Sequence, residues 1–193
     1  KKVLFNGDGY SEEWHKEAAN RGLPNHRNTV DSLPVIVRKD TAELFGKYKV
    51  YTEKELESRF NILCEGYVKT ISVEAKLTAF MGRNQILPAA IRYQGQVAEA
   101  VNATKAAGVE PAGSLELLKT LSATIGEFTK AIHHLLHELA HEAPGTVHDH
   151  AKYFRDNVRL AMNAVRVLGD KLETLVADDV WPLPTYREML FIK

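Results

Sequence analysis

The chain has 193 residues and a mass of 21.6 kDa, the size of one ordinary domain or one domain with an appendage. Hydrophobic residues make up 45% and charged residues 26%, which excludes a wholly disordered or low-complexity chain. Lysine plus arginine number 25 and aspartate plus glutamate 25, so the balanced charge supplies no basic footprint for nucleic acid or an anionic membrane.

The first fifty residues read as short elements joined by turns. Val3-Leu4-Phe5 suits a brief strand, and Asn6-Gly7-Asp8-Gly9 a turn in which glycine takes positive φ. Ser11 is placed to cap a short helix, with Glu12 and Glu13 at its positive end and a stop near Gly22, before Pro24. Asp40-Thr41-Ala42-Glu43 has capping-box spacing and predicts another short helix. No long series of alternating strands occurs.

Thr52-Glu53-Lys54-Glu55 is a second capping box, and a helical pattern runs from it towards Gly108. Leu56, Phe60, Leu63, Tyr67 and Ile71 recur at intervals of four and three, which defines one face. Ile62, Val68, Val73, Leu77, Phe80 and Met81 make the stretch apolar on several sides, as for a helix buried on several sides. Gly82 and Pro88 predict a kink or a division, because proline removes a donor and clashes one turn back.

After a break from Gly108 to Gly113, Ser114 is the expected cap of a helix with a heptad seam. That seam is Leu118, Leu121, Ile125, Phe128, Ile132, Leu135 and Leu139. Pro144-Gly145 ends it, and Thr146 with Asp149 opens a third helix. Its seam is Val147, Ala151, Phe154, Val158, Ala161, Val165, Leu168, Leu172 and Leu175. Short connections make neighbours antiparallel, so an all-α antiparallel bundle of long helices is expected. Residues 1–51 form its short N-terminal elements and 52–193 the bundle. The prolines of Val180-Trp181-Pro182-Leu183-Pro184-Thr185-Tyr186 predict an extended C-terminal tail. Its apolar end, Met189-Leu190-Phe191-Ile192, calls for docking on its own domain or on a partner.

Few residues suggest chemistry. His137-Glu138-Leu139-Ala140-His141 matches H-E-x-x-H, in which two histidines one turn apart bind zinc and the glutamate activates its water. His133, His134, His148 and His150 lie near it. The seam turns His137 to the far side of the helix and His141 to its flank, and no substrate-binding strand is evident. Pro144 and Val147 stand where the longer metzincin spacing requires glycine and histidine. A solvated helix face is therefore preferred, with adventitious metal binding and a zinc metallopeptidase as alternatives. Gly7-Asp8-Gly9-Tyr10-Ser11 invites a phosphate-loop reading, but Glu12 replaces the third glycine and no Gly-Lys-Ser/Thr follows; a turn opening a helix is preferred.

The lone Cys64 excludes an intramolecular disulfide and any cysteine-based zinc cluster, and reads as a buried, inert thiol. A reducing, cytoplasmic setting is expected, without signal peptide or spanning segment. The opening Lys1-Lys2-Val3, without an initiator methionine, suits a piece of something larger. Arg83 and Arg92 are left either structural or facing a partner. No active site is composed, and no catalytic, cofactor-binding or metal residue is expected.

The chain nevertheless resembles the C-terminal region of type III glutamine synthetases. Phe5-Asn6-Gly7-Asp8-Gly9-Tyr10-Ser11-Glu12-Glu13-Trp14 and Arg21-Gly22-Leu23-Pro24-Asn25 are similar to the segment after the catalytic core. Tyr67-Val68-Lys69-Thr70-Ile71 and Gln85-Ile86-Leu87-Pro88-Ala89-Ala90 resemble that family's long helix. Tyr153-Phe154-Arg155-Asp156, Trp181-Pro182-Leu183-Pro184-Thr185-Tyr186 and Leu190-Phe191 resemble its closing helix and tail.

The resemblance implies an ATP-dependent ligase that joins ammonia to glutamate through γ-glutamyl phosphate, with magnesium or manganese, as a double-ring dodecamer. It implies that the metal carboxylates and phosphate-binding arginines lie on a catalytic sheet preceding Lys1. Residues 1–51 would then link that sheet to the bundle, whose role is structural or oligomerising, with the catalytic domain and neighbouring subunits as partners. A stand-alone helical interaction module is the alternative.

Overall fold

The protein is described by a computed structural model covering residues 2–141 and 144–190. Helices dominate, and no strand occurs among the described residues. They are α1 (Glu12–Asn20), α2 (Thr29–Ser32), α3 (Lys39–Lys47), α4 (Glu53–Met81), α5 (Leu87–Ala106), α6 (Ala112–Ala140), α7 (Val147–Tyr153), α8 (Arg159–Glu173) and α9 (Tyr186–Leu190). The chain divides into two compact units, 1–64 and 65–193, and α4 leads from one into the other.

In the first unit the Ser11 hydroxyl caps α1 by accepting from the Trp14 amide at 3.3 Å. Gly22, at φ +69°, follows its end. Val3-Leu4-Phe5 is not a strand: Arg21 donates to the carbonyls of Lys2 at 3.1 Å and Leu4 at 2.6 Å, so a side chain occupies acceptors a strand partner would use. Neither Gly7 nor Gly9 has positive φ. The Asp8 carboxylate instead accepts from the Tyr10 amide at 2.9 Å and sets the turn.

A 3₁₀ turn at Leu33–Val37 precedes α3, which starts at Lys39 with Arg38 in the cap position. Asp40 lies inside the first turn and pairs with Arg38, so the capping box expected at Asp40 does not form. The box at Thr52 does: its amide and hydroxyl donate to the Glu55 carboxylate at 2.7 and 2.8 Å, and the Glu55 amide returns a bond at 3.3 Å. Val30, Leu33, Leu56 and Cys64 are buried, and burial pushes the Cys64 thiol up.

In the second unit α6 packs against α5 on one side and α8 on the other, the antiparallel bundle expected from the short connections. Leu121, Ile125, Phe128, Ile132 and Leu135 of the α6 seam are buried, and so are Ala151, Val158, Ala161, Val165 and Leu172 of the closing seam. Burial of each large aliphatic or aromatic side chain contributes about 1.5–3 kcal/mol. α6 starts at Ala112 after Pro111, two residues before the expected Ser114 cap. Thr146 and Asp149 form the full capping box at the start of α7.

At Gly82 and Pro88 the helical run is interrupted but continues beyond them. A π turn at Gly82–Ile86 widens it, the Leu87 amide donating to the Gly82 carbonyl, and Pro88 enters the first turn of α5. A wide turn just before proline absorbs the missing donor and the ring's bulk. A second π turn, Phe154–Val158, joins α7 to α8. On the α4 portion of this unit the core is met by Ala75 and Ala79, small enough for close approach, with Ile71 partly buried. The larger Val73, Leu77 and Phe80 are 66%, 54% and 55% exposed. Burial of α4 on several sides is thus not what the fold uses.

In the tail Val180 and Trp181 pack on the core of this unit. Beyond the extended prolines the tail turns helical again at α9. A capping box opens it: Thr185 donates its amide and hydroxyl to Glu188 at 2.8 and 3.0 Å and accepts the Glu188 amide at 3.3 Å. Phe191 and Ile192, part of the apolar end, lie outside the described residues. No helix is long and apolar enough to cross a membrane among the described residues.

Candidate functional site

A group of ionisable side chains sits near the C-terminal end of α6, where it faces α7. Helical spacing puts His134, His137 and Glu138 on one face of α6. His134 Nδ1 lies 3.6 Å and His137 Nδ1 3.4 Å from Glu138 Oε1. The rings are open to solvent, at 60% and 78% exposure, while the Glu138 side chain is 13% exposed. Its other oxygen, Oε2, accepts the Tyr153 hydroxyl of α7 at 2.5 Å.

This bond shapes the electrostatics. The Tyr153 hydroxyl first, and the neighbouring histidines after it, hold the Glu138 carboxyl below its ordinary value. Burial and then the Glu138 carboxylate push Tyr153 up to about 12.

His141 takes a different place. It is the C-cap of α6, with an extended backbone at ψ 123°, and its ring stacks on Tyr153 with centroids 4.8 Å apart. The two histidines of the H-E-x-x-H pattern therefore do not occupy successive turns of one helix. His137, Glu138 and His134 come together; His141 goes to the tyrosine. Sequence reading set His137 and His141 as the pair and named His134 only as a neighbour. The signal for the observed grouping was the i, i+4 relation of His134 to Glu138. Tyr153 carried no comparable signal, because its reach to α6 depends on the turn between the two helices.

Tyr153→Phe removes the bond to Glu138 and is expected to cost about 1 kcal/mol at neutral pH, at the modest end because the group is partly solvated. Glu138 is depressed in the folded state, so its contribution is present above the ordinary 4.5 and lost as pH falls through the lower folded value. Tyr153 is raised, so its contribution is present below the ordinary 10.0 and lost as pH rises through about 12. Urea unfolding of wild type and variant should thus differ most between about pH 5 and 10 and converge as pH falls from 4.5 through the lower folded value of Glu138. A pH-independent difference would show that the bond is not its source.

A second feature is a cleft of about 760 Å³ between Met81, Gly82, Ile86, Arg159 and Trp181, with Phe128 at its floor. Trp181 Nε1 is buried there without a hydrogen-bond partner. Asp170 and Glu173 stand with Arg159 and Arg166 among its charged lining groups. Arg83 and Arg92 are both exposed. Cys64 is buried, with a raised thiol, the environment of an inert rather than a nucleophilic sulfur.

Comparison with known proteins supplies what these groups do not. The glutamine synthetase C-terminal domain family matches residues 1–105. The chain is 33% identical over 195 residues to a glutamine synthetase of Butyrivibrio fibrisolvens, covering 99% of this chain and 28% of that protein. It is 32% identical over 199 residues to the type-3 glutamine synthetase of Dictyostelium discoideum, covering 100% of this chain and 27% of that one. A glutamine synthetase of Bacteroides fragilis (strain YCH46) is 30% identical over 203 residues, with 99% and 27% covered. The chain thus spans a little over a quarter of the length of these relatives. With the all-α fold, the capped long helices and the match along residues 1–105, the chain belongs to the glutamine synthetase C-terminal domain family.

Proposed function

We propose that this chain is the helical C-terminal part of a larger type III glutamine synthetase. That enzyme ligates ammonia to glutamate at the expense of ATP, through γ-glutamyl phosphate and with magnesium or manganese. The observation that carries the reading is coverage: relatives named glutamine synthetase match the chain from end to end, yet it accounts for only 27–28% of their length. In this reading the catalytic groups lie elsewhere in the polypeptide, in the cytoplasm, and residues 1–51 link them to the bundle.

The role proposed for the bundle is to brace the catalytic domain and to contribute subunit contacts of a double-ring dodecamer. Val73, Leu77 and Phe80, spaced four and three on α4 and each more than half exposed, support it. Three large apolar side chains in a row on one helix face are costly to leave in water and suit a covering surface. Changing Val73 and Leu77 together to glutamate in the full-length protein tests this. The far-UV spectrum should stay unchanged, because neither residue belongs to the buried core, while assembly weakens by about tenfold or more, equivalent to 1.4 kcal/mol. A variant that assembles and turns over as well as wild type would refute the bracing role.

A further inference from the structure

We propose that His134, His137 and Glu138 form a binding site for a transition-metal ion of the zinc type on the outer face of α6, held in position by Tyr153. The ligand atoms of the three residues lie within 4.8 Å of one another. Zinc binds imidazole nitrogen and carboxylate oxygen at about 2.0–2.2 Å, so two ligands of a tetrahedral ion stand about 3.4 Å apart. The 3.4 and 3.6 Å separations from Glu138 Oε1 to the two Nδ1 atoms already match that edge. Only the gap between the two rings has to close, and exposed histidine side chains rotate freely enough to do so.

The donor set decides the class of ion. Two imidazoles and one carboxylate suit zinc, nickel or copper, whereas magnesium and calcium require an all-oxygen shell. The carboxylate is also divided in the way metal sites divide it. Oε2 is taken by the Tyr153 hydroxyl, which leaves Oε1 to face the histidines.

Three protein ligands leave the fourth tetrahedral position open to water or to a side chain of another molecule. The site is distinct from the H-E-x-x-H arrangement, since His141 has left the helix and lies on Tyr153. Glu138 is here a ligand rather than a base acting on bound water.

The test is zinc titration by calorimetry of the untagged, full-length protein, read as the difference between wild type and variants so that any other metal site cancels. Wild type should bind one zinc ion per chain more than the H134A/H137A double variant. His133→Ala, on the same helix but outside the group, should bind like wild type. Tyr153→Phe, which leaves all three ligands, should lose about 10- to 100-fold in affinity at this site, the usual effect of an outer partner. The two histidine rings are largely in solvent, so the double variant should fold. Cobalt added to wild type should give the visible absorption of a tetrahedral nitrogen–oxygen site, and the double variant should lack it. Equal zinc stoichiometry and affinity in wild type and the double variant would overturn the proposal, as would a wild-type protein without those cobalt bands.

Discussion

Phe128→Ala should lower the unfolding free energy by about 3–5 kcal/mol, the largest loss expected of any single truncation in the second unit. Phe128 is fully buried and is the largest of the completely buried side chains. Its ring lies between two glycines. A Cβ on Gly82 would stand 3.3 Å from its Cζ, and one on Gly169 would stand 3.8 Å from its Cε2. The π turn that follows α4 and helix α8 thus present bare backbone to one aromatic ring of α6. Truncation leaves a cavity whose walls are backbone on two sides, and backbone collapses into a void less readily than side chains do. A shift of the urea midpoint with an unchanged m-value is the expected signature; a loss under 1 kcal/mol would mean the ring does not fill that space.

Gly82→Val should destabilise by about 1–3 kcal/mol through overpacking, and Gly169→Ala should be nearly neutral. The contrast follows from the distances. A new Cβ at position 82 meets Ile132 Cδ1 at 3.2 Å, Ile132 Cγ1 at 3.3 Å and the Phe128 ring at 3.3 Å. At position 169 the nearest atoms, Ile86 Cδ1 and Phe128 Cε2, are at 3.8 Å, which is ordinary contact. Gly82 also opens the π turn, so added bulk acts where the helix is already widened. Both variants are read by the same denaturation experiment. Equal effects at the two positions would show that the close approach at Gly82 is not what sets the packing.

The bundle was legible because its signals are local and repeated. The two seams on α6 and on α7–α8 are regular over several turns, and their buried members are the ones the spacing picked. The capping boxes at Thr52 and Thr146 formed for the same reason: a stretch of four residues suffices to specify them. Asp40 shows the limit. Its spacing was equally good, but Arg38 competes for the carboxylate and the helix starts two residues earlier.

The face of α4 was misjudged where periodicity alone had to choose. Leu63 was expected on the buried face and is 47% exposed, whereas Ala75 and Ala79 are buried. Small residues admit a closely packed neighbour, and a hydrophobic-period argument weights them least. The π turn before Pro88 was beyond reach for a related reason: sequence shows that proline disturbs a helix, not whether one extra residue in the turn absorbs the disturbance.

At the candidate site the composition of the group was legible and its geometry was not. The histidines and Glu138 are visible in the string. Which of them meet depends on His141 ending α6 and on Tyr153 arriving from the next helix.

The function rests on the chain being one part of a ligase, and the most direct measurement is the mass and activity of the native polypeptide that carries it. An antibody against the bundle should capture, from source cells, a polypeptide several times heavier than 21.6 kDa that forms glutamine from glutamate, ammonia and ATP. A captured product of about 21.6 kDa, or a heavier one without that ATP-dependent activity, would contradict the assignment.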